Sequence, residues 1–145
     1  VDATGALLKN TLADHPFLIK PNLDELEMLC DCKVQSLDDL LACVTKLQQL
    51  GALNVLVSLG KDGAVLVDSS SQAYYCQAGQ GQLKNSVGSG DSMVAGFIAG
   101  YMKTQNLQEA LRLGSACGSA TAFSEDIGGF EQVEAIYRQL AVRLL

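Results

Sequence analysis

Residues 53–59, LNVLVSL, are the feature that most restricts how this chain can fold. The run has the length of a strand and is almost wholly apolar, without the alternation that marks a strand with one face in water. Strands of this kind occur in parallel sheets whose two faces are both covered by helices. The run therefore favours an α/β fold, and the segments around it agree.

Those segments read as strands and helices in alternation. We predict helices where apolar residues recur at helical spacing, and strands where short apolar runs are bounded by turn residues. Helices are predicted over residues 6–12, from Asn22, over 37–50, from Ser92, over 107–124 and over 130–144, and strands over 17–19, 53–59, 64–67 and 73–77. The last two strands, joined by polar residues 68–72, predict an edge hairpin. This order predicts one layered α/β/α domain over residues 1–145, with a mostly parallel sheet and right-handed crossovers.

The charge of the chain argues against nucleic-acid and membrane partners. Ten Lys and Arg stand against 16 Asp and Glu, which gives a net charge of −6 and leaves no basic face. No apolar run is long enough to span a bilayer. We therefore expect a cytoplasmic protein that acts on small molecules.

The five cysteines predict neither a zinc site nor a disulfide framework. Cys30-x-Cys32 has the spacing of neither a zinc knuckle nor a redox C-x-x-C pair, and the single histidine, His15, is distant in sequence. Free thiols in a reducing compartment are the expectation.

Residues 85–97, NSVGSGDSMVAGF, predict a glycine-rich turn that leads into a helix. Gly88 and Gly90 have no Cβ, and Ser89 is small, so a ligand can approach the backbone amides closely. The first N–H groups of a helix lack partners and lie at the positive end of its dipole, which suits a phosphoryl oxygen. Asp91 follows with a carboxylate that can accept a proton from a hydroxyl. The alternative is that Asp91 only caps the helix and the glycines only form a tight turn.

Two other stretches also follow predicted strands. Asn22 and Glu25 lie three apart at a helix start, which is the spacing of a capping box. Residues 58–63, SLGKDG, carry two glycines that by themselves indicate only the turns of a hairpin. Loops that follow parallel strands gather at one sheet edge, where ligands bind. We therefore expect all three stretches to face one crevice.

The string over residues 85–97 closely resembles the second signature of the ribokinase-like (PfkB) sugar kinases, and the resemblance extends over essentially the whole chain. It implies that Gly88, Ser89 and Gly90 form an anion hole and that Asp91 is the catalytic base. It also implies that Asn22 and Glu25 help to hold Mg²⁺, mostly through water. The nucleotide site that it implies comprises Ser58, Leu59, Gly60, Lys61, Asp62, Gly63 and Gly90. Asn85 and Val87 depart from the polar pattern that supports a monovalent cation in many ribokinases.

The reaction that this resemblance implies is transfer of the γ-phosphoryl group of ATP to a sugar phosphate. Within the family, the string is most similar to kinases that convert fructose 1-phosphate to fructose 1,6-bisphosphate, with kinases of tagatose 6-phosphate next. Only the C-terminal half of a family member is present, without the sugar-binding half and the lid, and Val1 opens the chain without an initiator Met. We therefore expect a fragment that is inactive alone and belongs to an enzyme that can form a homodimer.

Two alternatives come from other classes of protein. Gly90-Asp91-Ser92 resembles the nucleophile block of GDSL hydrolases, but the only histidine base, His15, lies far upstream. A noncatalytic nucleotide-binding module is the second alternative. A P-loop is excluded, because the chain has no G-x-x-x-x-G-K-[ST] sequence.

Overall fold

The computed structural model describes residues 5–145, in which strands and helices alternate as predicted as far as residue 139. The helices are α1 (Gly5–Leu12), α2 (Leu23–Cys30), α3 (Leu37–Gln49), α4 (Ser89–Thr104), α5 (Leu107–Ala122) and α6 (Phe130–Gln139), and a single 3₁₀ turn covers Gly60–Asp62. The strands are β1 (Leu18–Ile19), β2 (Asn54–Ser58), β3 (Ala64–Val67), β4 (Ala73–Cys76) and β5 (Val142–Leu144). The sequence of residues 1–5, VDATG, resembles the end of a strand and its turn, but residues 1–4 lie outside the described residues.

The five strands form one sheet in the order β1-β2-β3-β4-β5. Strands β1 and β2 run parallel, with Leu18 opposite Asn54 and Ile19 opposite Val55. Val55, Leu56 and Val57 have no exposed surface, so both faces of β2 are covered, as its sequence predicts. The α/β fold class is confirmed.

The end of the chain differs from the prediction of a helix over residues 130–144. Helix α6 ends at Gln139, and β5 pairs antiparallel with β4. Arg143 in β5 places its guanidinium 4.7 Å from the centre of the Tyr75 ring in β4. The outer edge of β4 supplies backbone hydrogen-bond partners for residues 142–144, and only the folded chain brings the two segments together. The β3–β4 hairpin therefore has one more strand on its outer side.

Contacts within the chain divide it into two compact units. In the described residues, the first unit comprises residues 5–59 and 65–73. Its core contains the fully buried side chains of Leu8, Ile19, Leu26, Val44 and Leu47, which come from α1, β1, α2 and α3. These three helices and the strand therefore bury the apolar faces that their spacing predicts.

The second unit comprises residues 60–64 and 74–145, and its centre is the packing of α4 on α5. A Cβ atom added at Gly96 would lie 2.7 Å from the sulfur of Cys117, and one added at Gly114 would lie 2.8 Å from the carbonyl oxygen of Met93. Neither side chain would fit, so the small residues of the two helices are what permits this close approach. None of the helices within residues 5–145 is both long and apolar enough to cross a membrane.

Candidate active site

The turn before α4 has the open backbone that the sequence predicts. Gly88 precedes the helix with a φ of +78°, which glycine adopts without strain, and a Cβ added there would meet no atom within 4 Å. The helix begins at Ser89, earlier than the predicted start at Ser92, so Asp91 is its third residue. The alternative that Asp91 is the N-cap is therefore wrong, because Gly88 holds that position without any side-chain hydrogen bond.

Two backbone donors of this turn remain open. The N–H of Ser89 donates to the carbonyl oxygen of Ser86 at 3.2 Å. The N–H groups of Gly90 and Asp91, by contrast, have no acceptor within residues 5–145. The exposed carboxylate of Asp91 lies in the same helical turn. A helix N-terminus with open N–H groups and an exposed carboxylate are thus present together, and such groups can receive an anion and a proton.

The C-terminal end of α5 holds the segment that leads into this turn. The carbonyl oxygen of Ala122 accepts hydrogen bonds from the N–H groups of Lys84 at 2.9 Å and Asn85 at 3.2 Å. The Asn85 side chain donates to the Glu125 carbonyl oxygen at 3.3 Å and accepts from the N–H of Val87 at 3.0 Å. Asn85 therefore positions the backbone around the turn, a role that its sequence context does not show.

A second contact joins the first turn of α4 to α5. The hydroxyl of Thr121, which is 2% exposed, donates to the hydroxyl of Ser92 at 2.9 Å and accepts from the N–H of Gly128 at 3.1 Å. One turn earlier in α5, a Cβ at Gly118 would lie 3.1 Å from the Ser89 carbonyl oxygen. Thr121 could not be predicted from the sequence, because nothing local distinguishes it from any other helical threonine.

Asn22 and Glu25, the predicted metal-supporting residues, form a capping box at the start of α2. The N–H of Glu25 donates to Asn22 Oδ1 at 2.8 Å, and the N–H of Asn22 donates to Glu25 Oε2 at 2.9 Å. A parallel bridge pairs Asn22 with Ser58, and the N–H of Ser58 donates to the Pro21 carbonyl oxygen at 3.1 Å. The structure therefore brings the start of α2 beside the end of β2, where the predicted nucleotide loop begins.

The two glycines of that loop have different surroundings. Both have a positive φ, +59° at Gly60 and +95° at Gly63. A Cβ at Gly63 would lie 2.2 Å from the Cys76 carbonyl oxygen, whereas one at Gly60 would meet no atom within 4 Å. Gly63 therefore serves the backbone packing of the hairpin, and Gly60 leaves open space beside the chain. Of the other loop residues, Ser58 and Leu59 are half-buried, and the exposed ones are Lys61 and Asp62.

The contacts of Ser92 and His15 give the hydrolase alternative no support. Ser92 accepts its hydrogen bond from Thr121, and Nδ1 of His15 lies 3.2 Å from the carbonyl oxygen of Gly51. Neither contact is that of a nucleophile with its base.

A sequence comparison decides the family. Residues 2–130 match the sequence pattern of a family described as "pfkB family carbohydrate kinase". The chain belongs to the PfkB family. It is 41% identical over 145 residues to a 1-phosphofructokinase of Bacillus subtilis. The matched region covers all of this chain and 48% of that protein. It is also 34% identical over 143 residues to a D-tagatose-1-phosphate kinase of Bacillus licheniformis. That matched region covers 98% of this chain and 47% of the relative.

A solved structure shows the same PfkB fold. Phosphofructokinase-2 from Escherichia coli, in complex with substrates and products, superposes on this chain with a TM-score of 0.88 at 31% sequence identity. The superposed region covers 96% of this chain and 46% of the phosphofructokinase-2 chain. The chain thus spans about half the length of the curated relatives that it matches.

The residues at the start of α2 fit a hydrated magnesium ion. The capping box uses one oxygen of each side chain, which leaves Glu25 Oε1 outside it. No group of three or more His, Cys, Asp or Glu side chains in the described part of the chain could hold a metal. Magnesium retains several waters and needs only one or two protein carboxylates beside the substrate phosphates. A site with few protein ligands is therefore compatible with that ion.

Proposed function

We propose that this chain is the part of an ATP-dependent sugar-phosphate kinase that supplies the catalytic base, the anion-binding turn and the nucleotide loop. The observation that carries the proposal is the first turn of α4, where the exposed Asp91 carboxylate accompanies the open N–H groups of Gly90 and Asp91. Membership of a carbohydrate kinase family supports the same reaction class.

Asp91 accepts the proton of the sugar hydroxyl as its oxygen forms a bond to the γ-phosphorus of ATP. The bond from the γ-phosphorus to its bridging oxygen breaks, and ADP leaves. The open N–H groups of Gly90 and Asp91 hold the charge that develops on the transferred group, and such electrostatic stabilisation carries most of the catalysis in phosphoryl transfer. The loop of residues 58–63 lies along the nucleotide, where Gly60 leaves room for a close approach.

Asn22 and Glu25 would hold Mg²⁺ through its waters. The ion, when bound, neutralises charge on the phosphates of ATP. Glu25 Oε1 lies outside the capping box and would face the hydrated ion, while the capping box fixes the side chain that carries this oxygen.

The names of two relatives support a substrate class. The 1-phosphofructokinase and the D-tagatose-1-phosphate kinase are both named for ketohexoses with a phosphate at carbon 1. We propose fructose 1-phosphate as the acceptor, with its 6-hydroxyl phosphorylated to give fructose 1,6-bisphosphate. A tagatose phosphate is the alternative. A homodimer and a cytoplasmic location stay predictions.

The decisive experiment replaces Asp91 with Asn in the full-length enzyme. The variant keeps the shape of the side chain and loses the base, so kcat is expected to fall by about 10²–10⁴-fold while ATP affinity is retained. Glu131→Gln is the matched control, since it removes a first-turn carboxylate from α6. Unchanged turnover in Asp91→Asn would place the chemistry elsewhere.

A noncatalytic nucleotide-binding role is the second candidate for the isolated chain, because the chain spans about half of its relatives. In a coupled assay of ADP release, residues 1–145 alone are expected to show no turnover with fructose 1-phosphate, while calorimetry detects weak ATP binding. Normal turnover by this chain would show that the remaining half of the relatives is not needed.

A further inference from the structure

Three cysteines that are separate in the sequence come together in the first unit. Cys30 ends α2, Cys32 follows it, and Cys43 lies within α3. The thiol of Cys30 donates to the carbonyl oxygen of Cys43 at 3.4 Å. Burial, together with the neighbouring thiols of Cys32 and Cys30, raises the pKa of Cys43 to about 12. We refer to Cys30, Cys32 and Cys43 as the thiol cluster.

One member of the thiol cluster lines a cavity that is open to solvent. Cys32 is half-buried and lines an open cavity of about 510 Å³ at the C-terminal end of α2, whereas Cys43 is 3% exposed. At the cavity wall, the Lys33 ammonium pairs with the Glu27 carboxylate at 2.5 Å. Because Cys32 lines the cavity and Cys43 is buried, a small oxidant in the cavity meets Cys32 first.

We propose that the thiol cluster is an oxidation site for hydroperoxides, in which Cys32 reacts first and Cys43 then closes a disulfide with it. The sulfur of Cys32 attacks one oxygen of hydrogen peroxide, the O–O bond breaks, and the products are a Cys32 sulfenic acid and water. The sulfur of Cys43 then attacks the sulfenic sulfur, the S–O bond breaks, and a second water leaves with the Cys43 proton. Two thiols lose two electrons and two protons, and the peroxide is reduced to two waters.

Cys43 is a better partner for Cys32 than Cys30 is. The backbone between Cys30 and Cys32 is fixed, because Asp31 caps α2 in the left-handed region and the N–H of Cys32 donates to the Glu27 carbonyl oxygen at 3.1 Å. A disulfide needs a particular separation and torsion of its two Cβ atoms, and neighbours held at the end of one helix cannot adjust to it. Cys43 approaches from a different helix, so the side chains on both sides can adapt.

The test is a peptide map of the reduced chain after treatment with hydrogen peroxide. Tryptic cleavage after Lys33 and Lys46 separates Cys30 and Cys32 from Cys43. The expected product is a disulfide between the peptide that ends at Lys33 and the peptide of residues 34–46, with a loss of two thiols per chain. Fragmentation of the linked pair is expected to show Cys32 as the partner.

Variants identify the thiol that reacts first. Cys32→Ser is expected to slow formation of the linked peptide about tenfold or more, whereas Cys30→Ser and the distant control Cys117→Ser leave its rate unchanged. A disulfide confined to the peptide that ends at Lys33, a sulfinic acid on Cys32 as the only product, or links only between separate chains would each overturn the proposal. The map of the unmodified chain tests the proposal even if a variant fails to fold.

Discussion

The hydroxyl of Thr121 donates a hydrogen bond of 2.9 Å to the hydroxyl of Ser92. Ser92 follows Asp91 directly in the first turn of α4, and Thr121 lies in the last turns of α5. The same Thr121 oxygen accepts from the N–H of Gly128, so one buried hydroxyl joins two helices and the loop that follows α5. The proposed base therefore stands on a helical turn whose position depends on a neighbouring helix.

Replacement of Thr121 by Val removes this hydroxyl without changing the shape of the side chain. Because the N–H of Gly128 loses its partner and Ser92 loses its donor, we expect the free energy of unfolding to fall by about 1–3 kcal/mol. Thr121→Ser keeps the hydroxyl and is expected to lose less than half of that amount. Urea denaturation of the three proteins measures the difference. Equal stability of the Val variant and the parent would show that the hydroxyl is not a structural link.

Glu25→Gln separates the capping role of this residue from its proposed role at magnesium. A glutamine oxygen can still accept from the N–H of Asn22, so the box survives and stability is expected to change by less than about 0.5 kcal/mol. The loss of charge is expected to raise the Mg²⁺ concentration that gives half-maximal activity in the full-length kinase. Glu25→Ala serves as the comparison, because it loses the cap as well. An unchanged magnesium requirement in Glu25→Gln would contradict the metal role.

Alanine replacements at Gly60 and Gly63 distinguish backbone strain from collision. Both residues have a positive φ, but only at Gly63 would a Cβ meet the Cys76 carbonyl oxygen, at 2.2 Å. We expect Gly60→Ala to cost about 1 kcal/mol, from conformation alone, and Gly63→Ala to cost clearly more, because the turn must also move away from β4. Thermal denaturation of the two variants gives the order. Equal costs would mean that the hairpin accommodates the added methyl group freely.

Tyr137→Phe is expected to show a pH-dependent loss of stability. The hydroxyl of Tyr137 donates to the Glu109 carboxylate, and this hydrogen bond raises the pKa of Tyr137. A group whose pKa is higher in the folded state stabilises the fold fully below its unfolded pKa, here about 10, and loses that effect as the pH rises through the folded pKa. The parent is therefore expected to exceed the variant by about 1 kcal/mol at neutral pH.

That difference is expected to shrink above about pH 10, where the unfolded tyrosine ionises. Urea midpoints of both proteins across this range test it, and comparison with the variant cancels the titration of lysine and cysteine thiols. A difference that stays constant into alkaline solution would show that the hydrogen bond does not govern the pKa of Tyr137.

Features that depend on residues close together in the chain were predictable from the sequence. The Asn22–Glu25 capping box needs only a spacing of three, and an unbroken apolar run indicates the buried strand β2. The glycine turn before α4 was also predictable, because Gly88 is a residue that adopts its φ of +78° without strain. Even here, the N-terminal boundary of α4 was misplaced, since small residues at a helix start carry no apolar periodicity.

The sequence by itself determined the α/β class and most helices and strands, because helical caps, burial patterns and glycine turns are local chemistry. The family was indicated by the resemblance of residues 85–97 to a known signature. Only the tertiary structure decided that Asn22 pairs with Ser58, that Thr121 donates to Ser92, that Cys30 contacts Cys43, and that residues 142–144 form β5 beside β4. Each of these contacts joins different elements of the chain. Their partners are chosen by how whole faces pack, and no local pattern records that choice.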